Sequence, residues 1–489
     1  MPIEDPASIQ EVFDVISYRK GSSVLRMLHD WVGDVKFRDG LRLYLSRHKY
    51  SNTCTRDLWA ALEQKSGLPV GRVMSTWTKQ KGFPLITVSE SQRSDGKAYL
   101  TLAQKKFSAN STISVLERRI RWEIPVTFIT ETSPSGETDE LKQMFTERFR
   151  PVEVPIKSRD EWIKLNSKSI GFYRTQYPDE MLALLVPAVQ SKKLDKVERL
   201  QLQSDLFALA RAGYDDTVKF LNFLRGYRNE TDYFVWDSIT DSLGSIYTLL
   251  SNTDFLNKFE AFGIETLSTI YDQISWDARE GESPSDSLLR SLVINNLGLF
   301  KYDRVVAEAK RRFAEQQREG GTPIPADLRG GIYRTVVRSA SDEEFAQFFD
   351  MYRRADSSAE KTRIGSALGA TTDDDRIKQV LNFSLSSDVR GQDAPGVMTS
   401  VTGSKRGREL AWEFFVANKE EIGARYSNDY LIGRVIKGII GGHASEERAT
   451  EFEQFFKKND FPGSARAVSK CVLCMKSFNL LSQTNNILN

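Results

Sequence analysis

Three sets of residues in this sequence could do chemistry: a tyrosine at the mouth of a helix, three histidines and a pair of cysteines. Tyr18 stands in Ser17-Tyr-Arg-Lys-Gly21, ahead of Val24, Leu25, Leu28 and Trp31–Val32, which recur at three- and four-residue spacing. That spacing predicts an amphipathic helix. A phenol held at the rigid start of a helix is a donor in one fixed place, as stabilising a developing oxyanion requires. On spacing alone the commoner meaning is a core aromatic with its hydroxyl hydrogen-bonded. The histidines are His29, His48 and His443. A catalytic zinc needs three protein ligands and one open position, and the hydrolase arrangement places two of them as His-Glu-x-x-His on a helix. Neither His29-Asp-Trp-Val-Gly nor His443-Ala-Ser-Glu-Glu has a second histidine four residues on, so no metal ligand is assigned. Cys471-Val-Leu-Cys474 has redox or zinc-knuckle spacing. It lacks a second Cys/His pair nearby and sits in a helical-looking tail, so it reads as two semi-buried helix thiols.

The elements that must position Tyr18 follow from hydrophobic period. Residues 8 to about 82 read as a small helical unit. A second helix over Lys36–Arg47 would turn Phe37, Leu41, Tyr44 and Leu45 to one face. A third, capped by Thr55, would turn Leu58, Ala61 and Leu62 inward. A fourth carries Val70, Val73, Met74 and Trp77 before Gly82 and Pro84 stop it. Four such helices bury little alone, so the unit reads as the remainder of a larger domain. From Leu85 to about Tyr177 the period becomes two. Strands are expected at 85–89, 98–103, 119–130, 152–156 and 162–165, with turns at Ser94-Asp-Gly96 and Ser133-Pro-Ser-Gly136, which predicts a small β-sandwich. Beyond Pro178 nearly everything is helical, in segments of about 10–20 residues with short breaks, the pattern of an α-solenoid. Leu200–Arg211 is the clearest amphipathic piece, ended by Gly213.

Composition narrows the function classes. The chain has 489 residues, 40% hydrophobic and 27% charged, with a net charge of +2. Nothing there asks for nucleic acid or a membrane surface as partner. No apolar run approaches the ~20 residues of a membrane span, and Met1-Pro-Ile-Glu-Asp-Pro6 lacks the regions of a secretory signal. A cytoplasmic setting is expected.

Several motifs in one order carry a resemblance. Ile16-Ser-Tyr-Arg-Lys-Gly-Ser-Ser-Val24 with Met27-Leu-His-Asp30 is similar to the catalytic-tyrosine segment of M1-family zinc aminopeptidases. Trp77-Thr-Lys-Gln-Lys-Gly-Phe-Pro84, Gly171-Phe-Tyr-Arg174 and Ser204-Asp-Leu-Phe-Ala-Leu-Ala-Arg-Ala-Gly213 resemble later segments of the same family, and Gln392-Asp393 and Ala411-Trp-Glu-Phe414 continue its order. The resemblance implies a mainly α chain with a small β-sandwich. Residues 1–83 would be the helical remnant of a thermolysin-like catalytic domain, 84–177 a β-sandwich spacer, and 178–489 an ARM/HEAT-like α-solenoid. It gives Tyr18 the role of stabilising the tetrahedral intermediate opposite zinc, and lets Phe13 line the pocket for the substrate's first side chain or simply pack in the core. Arg434, on a late helix, could hold a peptide's C-terminal region or be an ordinary solvated arginine. The family's Gly-x-Met-Glu-Asn run is absent, as is His-Glu-x-x-His. Zinc, its ligands and the amine anchor would then lie before residue 1, leaving zinc in the complete enzyme and none on this chain. Peptides are the expected substrates, and the missing catalytic part, or self-association through residues 8–80, the other expected contacts. The alternative is a non-catalytic peptide- or protein-binding scaffold derived from such an enzyme.

Overall fold

The computed structural model describes residues 16–109, 114–135, 141–251, 253–426, 430–443, 445–459, 461, 468–469 and 471–472. Contacts divide the chain into two compact units, Met1–Asp215 and Asp216–Asn489.

In the first unit a π-helical turn, Ile16–Lys20, runs directly into α1 (Gly21–Val32), followed by α2 (Asp34–Arg47), α3 (Thr55–Ser66) and α4 (Val70–Thr78). The predicted faces hold for α4, where Val70, Val73, Met74 and Trp77 are buried, and only in part for α1, where Val24, Leu28 and Val32 are buried together with Met27 but Leu25 is 40% exposed. They fail for α2. Its one buried residue is Gly40, while Leu45 is 65% exposed. A Cβ on Gly40 would stand 2.6 Å from Leu62 Cδ2, so α2 meets α3 through its missing side chain rather than through its leucines. The cap of α3 also shifts by one residue: Cys54 is the cap, and its backbone N–H donates to Asp57 Oδ2 at 2.8 Å.

Seven strands follow: β1 (Pro84–Ser94), β2 (Lys97–Lys106), β3 (Ile124–Thr130), β4 (Lys142–Phe145), β5 (Phe149–Pro155), β6 (Ile163–Leu165) and β7 (Arg174–Gln176). They form a four-stranded sheet in the order β5-β2-β1-β7 and a three-stranded sheet in the order β4-β3-β6. Asp95 and Gly96, at φ 54° and 72°, make the β1–β2 hairpin turn, the left-handed pair that Asp-Gly supplies readily. Three details differ from the period-two reading, the first being β4, which lies outside every expected strand. The strand expected from 119 begins at 124, because Trp122 N–H donates to the side chain of Gln104 instead of to a neighbouring strand. The short β7 pairs parallel to β1, Ile86 opposite Thr175, with no alternation to announce it. Helices α5 (Asp179–Gln190) and α6 (Lys196–Ala212) complete this unit.

The second unit is helical among its described residues. It contains α7 (Thr217–Leu224), α8 (Tyr233–Leu250), α9 (Leu256–Gln273), α10 (Pro284–Leu299), α11 (Asp303–Gln316), α12 (Arg329–Arg338), α13 (Asp342–Arg354), α14 (Ser358–Leu368), α15 (Asp374–Leu385), α16 (Ala394–Ser400), α17 (Lys405–Ala417), α18 (Lys419–Tyr426), α19 (Tyr430–Ile440) and α20 (Glu446–Lys458). Helices α8, α10, α12, α14, α16 and α19 touch one another in that order, and α9, α11, α13, α15 and α17 pack against them. Helix ends are set by side-chain caps such as Asp232, Ser341 and Ser445, each satisfying an orphan N–H.

His443, just past α19, is buried against Phe452 at 5.2 Å between ring centroids, and its Nε2 has no hydrogen-bond partner. Burial first, then Arg408 and Arg448, push its pKa down to about 4, while Glu409 and Glu451 act the other way. The folded value therefore lies below the ordinary 6.5. Protonation favours the unfolded chain, so stability is full above about pH 6.5 and falls toward pH 4 by up to about 3 kcal/mol. His443→Phe should flatten that part of the stability–pH curve measured by urea unfolding. An identical slope in the variant would acquit His443.

Candidate functional site

The site is built on the turn that enters α1. Lys20 is still helical, at φ −65° and ψ −44°, so α1 has no side-chain cap of its own. The turn is fastened from below instead. Lys20 Nζ donates to Gly82 O at 3.0 Å and Gln80 O at 3.3 Å, carbonyls just past the end of α4, where a cation also meets the negative pole of the helix. Half-burial lowers the Lys20 pKa. Gly82 is at φ 90°, and a Cβ there would stand 2.9 Å from Lys106 Cε, which accounts for glycine in Trp77-Thr-Lys-Gln-Lys-Gly-Phe-Pro84. Ser22 and Ser23 hydroxyls donate to Arg19 O.

On this clamped turn Tyr18 is 60% exposed. Its ring is not core, the outcome that spacing alone favoured. Lys20→Met should loosen the turn, at about 1–3 kcal/mol for two lost charge-assisted bonds. Amide hydrogen exchange of residues 18–23 checks this, and unchanged protection in the variant would show that the lysine holds nothing.

Two cavities flank α1. One, of about 530 Å³, has walls of Val24, Leu25, Leu58, Trp59, Met74 and Trp77, with Lys20 and Cys54 at its polar part. Tyr18 is not in its wall. The other, of about 350 Å³, is lined by Ser23, Arg26, Phe172, Tyr173, Arg174 and Asp205. Here the structure brings together two motifs that lie apart in sequence. Arg174 Nη1 donates to Asp205 Oδ1 and Ser204 Oγ, both at 2.9 Å, and Thr175 N–H donates to Asp205 Oδ2 at 3.1 Å. Gly171 is required because a Cβ there would fall 2.2 Å from the Tyr173 ring. Beside this joint, Lys164 Nζ ion-pairs with Glu198 Oε2 at 2.6 Å and donates to Gln201 Oε1 at 2.6 Å. Glu198 also accepts from Lys168 N–H at 2.5 Å, and Lys168 O accepts from Arg26 Nη2 on α1 at 3.2 Å. Sequence reasoning missed the Lys20 clamp and this network. The one available signal was the set of charged and amide residues spaced round α6 where an apolar face was expected.

Phe13 and Cys474 lie outside the described residues, and Cys471 is buried. Arg434 is an exposed residue of α19 in the second unit. His29 Nε2 meets Asp34 Oδ1 at 3.2 Å, and the His48 ring lies against Tyr44. Among the described residues no three His, Cys, Asp or Glu side chains group as metal ligands, so a three-ligand zinc site does not fit them. No helix among them is long and apolar enough to cross a membrane.

These elements are mostly helical with small β-sheets, and residues 162–476 match the sequence model of the ERAP1-like C-terminal domain. Residues 1–77 match that of the peptidase family M1 domain, and the chain belongs to the M1 peptidase family. Aminopeptidase M1 of Arabidopsis thaliana is 34% identical over 490 residues, covering 96% of this chain and 54% of that protein. Aminopeptidase M1-A of Oryza sativa subsp. japonica is 32% identical over 473 residues, 95% of this chain and 52% of that protein. The puromycin-sensitive aminopeptidase of Caenorhabditis elegans is 29% identical over 462 residues, 93% and 48%. The chain thus spans about half the length of the curated relatives it matches.

Proposed function

We propose that this chain is the tyrosine-bearing and helical portion of a zinc aminopeptidase that removes N-terminal residues from peptides. The observation that carries the reading is Tyr18: a solvent-facing phenol on a turn clamped by Lys20, in a chain of the M1 family. Its role is to donate to the oxygen that becomes negative in the tetrahedral intermediate. When bound, zinc supplies the polarisation and the activated water, from ligands other than the residues described here. We read the two sheets as a sandwich spacer and the successive helix row as an ARM/HEAT-like solenoid that holds the rest of the peptide, with Phe13 at the first side chain's pocket and Arg434 as a peptide contact. Leu25, Val35, Leu45 and Tyr50 are all exposed, apolar surface suited to the catalytic partner segment or to self-association.

The test is an assay of this polypeptide with an aminoacyl-anilide, alone and joined in frame behind the zinc-binding portion of an M1 relative. The chain alone should bind no stoichiometric zinc and hydrolyse nothing, and the fusion should be active. Full turnover by the chain alone, with one zinc bound, would sink this reading. An inactive fusion that still binds peptides would favour the scaffold alternative.

A further inference from the structure

Several partly buried arginines of the second unit pair with acids. Arg290 bonds Glu282, Arg312 bonds Asp277 and Glu308, Arg329 and Arg363 share Glu360, and Arg376 bonds Asp342. Arg334 and Arg338 do not. They lie four residues apart on α12, so they share a face, where like charges repel. Arg334 Nε and Nη2 both donate to Asn295 Oδ1, at 3.0 and 2.7 Å. Arg338 Nη1 donates to Gly298 O at 3.4 Å. Asn295 and Gly298 are one turn apart on α10, so the two guanidinium groups span the α10–α12 contact side by side.

Both acceptors are neutral. Among the described residues no carboxylate lies within ion-pair distance of either arginine. Glu260 is the acid that acts on Arg338 from nearby, but it is engaged by Lys301 Nζ at 2.8 Å and by the Tyr247 hydroxyl at 3.4 Å. The cluster therefore holds three cations against one carboxylate. Burial pushes Arg338 down to about 10 and lowers Arg334 as well, so the protein leaves both charges poorly compensated. Arg334 Nη1 and the Nε–Nη2 edge of Arg338 have no protein acceptor among the described residues. A guanidinium edge of that kind fits an oxyanion.

We propose that Arg334 and Arg338 form an anion-binding site across α10 and α12, which takes one small oxyanion, phosphate or carboxylate, between the two guanidinium groups. The site is independent of hydrolysis and of the role given to Tyr18. Isothermal titration of the chain with inorganic phosphate, and with an N-acetylated peptide as its free acid and as its C-terminal amide, reads it directly. Saturable binding of phosphate or of the free acid is expected, weakened at least about tenfold in Arg334→Gln/Arg338→Gln. Binding of the acid but not the amide assigns the anion to a peptide carboxylate, and binding of phosphate alone assigns it to free phosphate. No saturable binding of either probe, or affinity unchanged in the double variant, overturns the proposal. Arg338→Met separates binding from bracing. In anion-free buffer its Tm should equal or exceed that of the parent chain, and phosphate should raise only the parent's Tm. A fall in Tm that phosphate leaves unaltered would make the pair a helix brace and would equally overturn the proposal.

Discussion

In the zinc-bearing fusion, the role proposed for Tyr18 predicts that Tyr18→Phe lowers turnover by about a hundred- to a thousandfold, with KM little changed. The substitution removes one oxygen and leaves the ring. A donor that acts on a developing charge matters in the transition state and hardly at all for the bound ground state. The effect should therefore fall on kcat. The measurement is steady-state hydrolysis by the zinc-bearing fusion, with urea unfolding of both forms as the folding control. A loss under about threefold, or a rise in KM with kcat unchanged, would remove Tyr18 from the chemistry. This outcome is separable from the Lys20→Met experiment, which reads the turn and not the reaction.

The second large effect is on stability. Glu198→Ala should destabilise the first unit by about 3–5 kcal/mol, the usual consequence of removing one partner of a buried pair. The Lys164 and Glu198 side chains are 1% and 5% exposed. Without the carboxylate, the ammonium keeps Gln201 Oε1 and Leu165 O, neither charged. Lys168 N–H also loses its acceptor, in a segment where Asn166, Lys168 and Ser169 all sit at positive φ. That backbone is held in place by its bonds and has little reason to stay there without them. Because Lys168 O is what Arg26 reaches from α1, the damage should extend to hydrogen exchange in α1. Glu198→Leu with Lys164→Met should recover much of the loss, since an apolar pair of similar volume carries no unpaired charge. Denaturant unfolding of the three variants checks the series. A single variant within about 1 kcal/mol of the parent would mean that water already reaches the pair.

Much of the chain was legible from local chemistry. The apolar period of α4 named the residues that are buried, and that of α1 named Val24, Leu28 and Val32 but also the exposed Leu25. Asp95-Gly96 named the hairpin turn, and Gly213, at φ 75°, ends α6 as expected. Family motifs located Tyr18. Where the reading failed, a partner distant in sequence had overruled the local pattern. Helix α2 offers a stripe of leucines but packs through Gly40, because Leu62 fills that space. Helix α6 looked amphipathic, yet Glu198, Gln201, Gln203 and Asp205 are all buried beside its leucines. Glu198 and Gln201 meet Lys164 from β6, and Asp205 meets Arg174 from β7, and a pattern within one helix carries no information about them.

The sequence by itself determined that the chain would be mainly helical, where most of its strands would fall and which phenol to examine. These follow from periodicity, turn chemistry and motif order, all properties of neighbours along the chain. Only the tertiary structure decided that Lys20 would clamp the phenol's turn to Gly82, that Asp205 would lock β7 to α6, and that Arg334 and Arg338 would stand together without an acid. The free energy of a charge or a hydrogen bond depends on what surrounds it in space, and that is fixed when distant segments meet.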